Sequence, residues 1–173
     1  ALQNELRHRQ DPLRPIVLTI GKNNGGCSPN TIADKVQMMG TVRCLDQDTY
    51  KSLFSRIEKI VASVCNIFGA SYKINYKSKV PVLHNNLELT KILETSAIEL
   101  LGKEHVQILT EPSLGSEDFS VYLEHVPGAM FRLGVGHEDR INYPLHHPKF
   151  EVNEEAIVTG VATLAYSAYK FFV

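Results

Sequence analysis

At 173 residues and 43% apolar content, the chain can form one domain or two small ones of ordinary globular composition. Its net charge of −1 argues against a polyanion-binding surface, and so against a nucleic-acid partner. No apolar run approaches the roughly 20 residues needed to span a bilayer, so no membrane partner is expected.

Residues 1–10 read as helix, and Asp11-Pro12 stops them. This helix begins without a capping residue, and the chain begins with Ala rather than Met, so a truncated chain is expected. Residues 16–20 form a short apolar strand, and 22–31, rich in Asn, Gly, Ser and Pro, form a loop. Residues 35–43 alternate through Val36, Met38 and Val42 and predict a second strand. Asp46 or Asp48 then caps a long helix with apolar positions from Leu53 to Phe68 at helical spacing, which Gly69 ends. Tyr72, Ile74 and Tyr76 alternate with Lys73, Asn75 and Lys77, the pattern of a half-exposed strand. The order α-β-β-α-β is the split β-α-β-β-α-β unit without its first strand.

Val80-Pro81 marks a boundary. Beyond it the sequence predicts a helix over 86–101 ending at Gly102, a strand over 106–110 and a short helix over 117–125 stopped by Pro127-Gly128. A strand over 129–133 and a long loop over 134–149 follow. A last helix begins near Asn153, its apolar positions being Ile157, Val158, Val161, Leu164 and Ala165. Alternating helices and strands predict an α/β layer architecture. Cys27, Cys44 and Cys65 are odd in number and lack a CxxC pair, which favours reduced thiols and a cytoplasmic setting. No signal or transit segment is visible.

Several residues carry possible chemistry. His146, in Pro144-Leu145-His146-His147-Pro148, offers an imidazole suited to zinc or manganese. A lone histidine before a proline is also commonly a surface or capping residue. His147 is expected to face elsewhere, because neighbours in extended backbone point to opposite sides. An ion needs three or four ligands, and no HExxH or paired-cysteine spacing supplies the others. Glu117 and Asp118 follow Gly115-Ser116, where carboxylates either cap a helix or line a cleft wall. Asn30 can donate through its amide, and Arg43 can form a bidentate pair with a carboxylate; each also fits an ordinary loop or strand end.

Taken in order, Ala1-Leu2-Gln3, Arg9, Asp11-Pro12, Val17-Leu18-Thr19-Ile20-Gly21, Gly25-Gly26, Pro29-Asn30 and Gly40-Thr41-Val42-Arg43 form one pattern. Gly115-Ser116-Glu117-Asp118-Phe119, Pro127-Gly128, Leu133-Gly134, Leu145-His146-His147-Pro148, Phe150 and Asn153-Glu154-Glu155 continue it. The ordered set resembles the N-acyl-amino-acid amidohydrolases, the hippurate and auxin-conjugate hydrolase group of the aminoacylase and carboxypeptidase clan of metallopeptidases. The chain departs from the family's Asn-Val-Ile-Pro at Asn30-Thr31-Ile32-Ala33, and the upstream metal ligands, the glutamate base and the lid histidine have no counterpart here.

The resemblance implies an α+β and α/β chain. Residues 1–80 would be a ferredoxin-like lid or dimerisation domain lacking its first strand, and 81–173 the C-terminal part of an α/β catalytic domain. It implies that His146 is the family's last metal ligand, that Asn30 and Arg43 bind substrate, and that Glu117 and Asp118 lie near the active site. It further implies one or two divalent metals, zinc or manganese, that activate water, and N-acyl amino acid substrates. The partners implied are the missing N-terminal half of the same protein and a second copy bound through the lid. On this reading the isolated chain is inactive. The competing expectation is a non-catalytic ferredoxin-like dimerisation or small-ligand-binding module.

Overall fold

The computed structural model describes residues 2–8 and 10–173, with the backbone alone at Arg7. Ala1 and Arg9, which belong to the pattern above, lie outside the described residues. The chain divides into two compact units. The first comprises residues up to Val82 together with Glu111–Asp118, and the second Leu83–Thr110 together with Phe119–Val173.

The first unit is built from α1 (Leu2–His8), β1 (Ile16–Gly25), β2 (Val36–Cys44) and α2 (Gln47–Ile67). β1 and β2 pair antiparallel from Ile16 opposite Cys44 to Gly25 opposite Val36, with Gly21 an extra, unpaired residue. The paired ribbon therefore continues through residues 22–25, where the sequence suggested loop. Their Asn and Gly content disfavours strand, but the register started by Ile16, Leu18 and Ile20 carries them along. Gly40 has a steric reason: a Cβ there would lie well inside van der Waals distance of the Thr19 carbonyl and against Ile20.

The core of this unit is Leu6, Ile16, Leu53 and Ile57, with Leu18, Val42, Ile60, Val61 and Ile74 packed around it. It thus gathers the base of the ribbon and one face each of α1 and α2. Arg56 donates to the Gln10 side-chain oxygen at 2.6 Å, a further tie between the segment after α1 and α2.

Both ends of α2 follow from local chemistry. The Asp46 carboxylate accepts from the Thr49 N–H at 2.7 Å, the bond of an N-cap residue, and lies 3.5 Å from the Arg14 guanidinium. At the other end Gly69 takes a φ of 61°, Ala70 N–H donates to the Cys65 carbonyl and Gly69 N–H to that of Asn66. That is a Schellman closure. Asp46→Ala is expected to cost about 1 kcal/mol of stability. Hydrogen exchange should show the loss first at the Thr49 amide.

Residues 73–77 keep the alternation read from the sequence, while Tyr72 is exposed, and the segment forms no strand. Ile74 packs on the core, and Tyr76 meets the Phe54 ring edge-on at 4.8 Å while donating to the Phe54 carbonyl. Inward and outward faces are thus set by side chains. A ladder requires a neighbouring backbone, and none among the described residues pairs here.

The second unit contains α3 (Leu87–Leu101), a 3₁₀ turn at Lys103–His105, α4 (Phe119–Leu123) and α5 (Glu155–Phe172). Asn86 caps α3 by accepting from the Leu89 N–H, and Gly102 ends it at a φ of 90°. The short helix expected over 117–125 is confined to α4. The strands expected over 106–110 and 129–133 are also absent. The backbone of the latter is met by a side chain instead: Met130 N–H donates to Asn85 Oδ1, and Asn85 Nδ2 donates to the Met130 carbonyl.

α3 and α5 pack against each other, and the buried positions on them are small. Ser96, Gly160, Thr163 and Ser167 are buried, and a Cβ on Gly160 would collide with Leu133. The Thr163 and Ser167 hydroxyls donate to carbonyls one turn back, which satisfies them inside the contact. The large side chains Ile157, Val158, Val161 and Leu164 stay exposed. The apolar periodicity of α5 therefore marks its outer face in this chain, and its buried face carries small residues.

At the rim, Glu99 accepts from Tyr166 and from Lys170. The bond from Lys170, and then that from Tyr166, holds its carboxyl below the usual range. The folded-state value is the lower one, so this contact helps at neutral pH and is lost as pH falls through the acidic carboxylate range. Its exposure keeps the effect small.

Candidate functional site

The candidate residues fall in both units. In the first, the loop 26–35 forms the tip of the ribbon and carries Asn30. Ser28 donates to Asn30 Oδ1, and the Thr31 N–H donates to the Ser28 carbonyl, which holds the tip as a turn. The Asn30 side chain is exposed, with its amide N–H groups free to donate among the described residues.

Arg43 sits at the opposite end of the ribbon, paired with Val17. From Val36, at the tip, to Arg43 the strand advances by roughly 23 Å. Within one chain, then, Asn30 and Arg43 do not converge on one small carboxylate. What Arg43 does reach is the carbonyl of Leu114, at 2.7 Å. This bond ties the end of β2 to the segment carrying Gly115, Ser116, Glu117 and Asp118, a link between distant sequence positions that local pattern does not reveal. The guanidinium keeps further N–H donors for an anion. Glu117 and Asp118 are exposed just before α4, and that helix is only five residues long.

In the second unit the decisive residue is His146. Its φ of 69° is the single positive value at a non-glycine residue among those described. An L-residue in this region costs roughly 1–2 kcal/mol, and such strain gathers at functional positions. The imidazole is exposed and has no partner among the described residues. His147 is engaged elsewhere: its ring stacks on Tyr143 and its Nδ1 accepts from the Lys149 N–H. The backbone here is two successive turns rather than extended, so the neighbours differ because of the turns.

Sequence reading passed over His137. Asn142 clamps its backbone, accepting from the His137 N–H and donating to its carbonyl, each at 2.8 Å. The His137 Nε2 is shielded from solvent without a partner among the described residues. A single histidine in a long loop gives no periodic or spacing signal. Among the described residues no three His, Cys, Asp or Glu side chains come together as a metal cage. The exposed, unengaged imidazole of His146 suits one ligand position of an ion that takes three or four.

The chain matches the model of peptidase family M20/M25/M40 over residues 6–170. It belongs to that family. A probable hydrolase of Synechocystis is 53% identical over 99% of this chain and 44% of its own length. An N-acetyldiaminopimelate deacetylase of Geobacillus is 34% identical over 98% of this chain and 44% of its own. Among solved structures, an M20-family, dinuclear metal-binding peptidase of Bacillus subtilis superposes with a TM-score of 0.72 at 23% identity, over 96% of this chain and 43% of that one. The chain spans less than half the length of these relatives. The amidohydrolase resemblance and the assignment to a metal-dependent hydrolase family hold, as does a mixed α and β fold; the sheet among the described residues has two strands, fewer than the sequence suggested.

Proposed function

We propose that the whole protein hydrolyses the amide bond of N-acyl amino acids in the cytoplasm with bound zinc or manganese. The observation that carries the reading is His146, a strained and unengaged imidazole on a pinned loop in a chain of this hydrolase family. When bound, the metal supplies Lewis-acid polarisation and an activated water. This chain contributes one ligand, His146, and no further step rests on it alone. Arg43 and Asn30 hold the amino acid end of the substrate, and Glu117 and Asp118 form part of the wall beside Arg43.

In this reading residues 1–80 are a lid of ferredoxin-like type and 81–173 the end of the catalytic domain. The remaining part of the protein covers the exposed apolar face of α5 and supplies the other metal ligands and the glutamate base. A second copy docks through the lid, so that Asn30 and Arg43, at opposite ends of the ribbon, can serve different sites. A purely binding role for the ribbon draws support from its exposed Val36 and Met38.

The test is hydrolysis of N-acetyl and N-benzoyl amino acids by the full gene product, with and without a chelator. Chelator-sensitive release of free amino acid is expected, and none from the 173-residue chain by itself. Robust turnover by that chain, or chelator-indifferent turnover by the full product, overturns the proposal.

A further inference from the structure

We infer that His147 and Tyr143 are positioning residues that hold His146 in its left-handed conformation and so aim its imidazole. The inference rests on the reading of His146 as a metal ligand.

The His147 N–H donates to the Pro144 carbonyl at 3.1 Å, closing a four-residue turn. His146 stands third in that turn, where type II geometry demands a positive φ and ordinarily takes Gly or Asn. A histidine there stays only if its surroundings enforce the angle. His147 is the residue they act through. Its carbonyl accepts from the Phe150 N–H at 3.0 Å, opening a second turn with Pro148 in the second position. Its Nδ1 accepts from the Lys149 N–H at 3.1 Å. Its ring lies on that of Tyr143 with centroids 4.4 Å apart and planes 10° from parallel.

Backbone donor, backbone acceptor, ring nitrogen and ring face are thus all engaged one residue after His146. His147 Nδ1 is already an acceptor, so the ring carries its proton on Nε2 and offers no free nitrogen lone pair. The two adjacent histidines have different work: His146 presents a nitrogen, and His147 fixes where it points. Lys149 Nζ, 5.9 Å from the Tyr143 ring centroid, adds a cation beside the stack.

The experiment uses the full gene product and reads Zn(II) affinity by chelator competition, together with the melting temperature of the metal-free protein. Four variants are compared: His146→Gly, His147→Ala, Tyr143→Leu and Tyr143→Phe. His147→Ala and Tyr143→Leu are expected to weaken Zn(II) binding about 10- to 100-fold, the usual effect of losing a group that orients a ligand. Tyr143→Phe keeps the ring and should stay within a few-fold of the parent. His146→Gly should weaken binding at least as much while raising the metal-free melting temperature, because glycine relieves the strain.

Unchanged affinity in His147→Ala, with affinity lost in His146→Gly, overturns the positioning role and leaves the ligand reading standing. Unchanged affinity in His146→Gly overturns the ligand reading, and the inference with it. Should His147→Ala fail to fold, the contrast between Tyr143→Leu and Tyr143→Phe decides: equal affinities overturn the inference.

Discussion

Leu53→Ala is expected to destabilise the first unit by about 3 kcal/mol. Leu53 is 1% exposed at the centre of a core whose other buried apolar residues, among those described, are Leu6, Ile16 and Ile57. These come from α1, β1 and α2, three elements that cannot close over the hole together without giving up contacts elsewhere. Domains are stable by roughly 5–15 kcal/mol, so this is a large share. The chain has no Trp, so urea unfolding is best followed by far-ultraviolet circular dichroism, with hydrogen exchange assigning the loss to α2. A midpoint shift worth less than about 1 kcal/mol would mean that the neighbours relax into the space, and that this core is softer than its burial implies.

His146→Ala in the full gene product is expected to lower hydrolysis of N-acyl amino acids at least about a hundredfold, since losing a group that merely orients a ligand already costs 10- to 100-fold. Bound metal should fall in parallel. The substitution also replaces one residue strained at a φ of 69° by another, so the backbone problem remains while the imidazole goes. His84→Ala, an exposed histidine away from this loop, is the control and should leave turnover unchanged. Wild-type turnover with full metal occupancy in His146→Ala would remove His146 from the ligand set.

The helices were legible because their hydrogen bonds and caps are local. Asp46, Asn86, Gly69 and Gly102 act within a few residues of themselves, and each does what its type implies. The alternation at residues 73–77 was legible too: Ile74 and Tyr76 turn inward, and Lys73, Asn75 and Lys77 outward. What alternation does not contain is a partner. The segments 72–76, 106–110 and 129–133 therefore carry strand pattern without strand pairing. α5 shows a related limit: large apolar residues at helical spacing identify a greasy face, but the positions buried in this chain are the small Gly160, Thr163 and Ser167.

At the candidate site the residue types were visible and their arrangement was not. Sequence by itself determined the residues able to do chemistry, the capped ends of α2 and α3 and, through an ordered set of short motifs, membership of a hydrolase family; all of these depend on residue identity and near neighbours. Tertiary structure alone decided that Arg43 grips the Leu114 carbonyl across 71 positions. It also placed Asn30 and Arg43 at opposite ends of one ribbon and put His146 in a left-handed turn backed by a stacked His147 and Tyr143. Those features come from where the folded backbone brings distant or competing groups, and turn geometry at a histidine is set by what surrounds it rather than by its own preference.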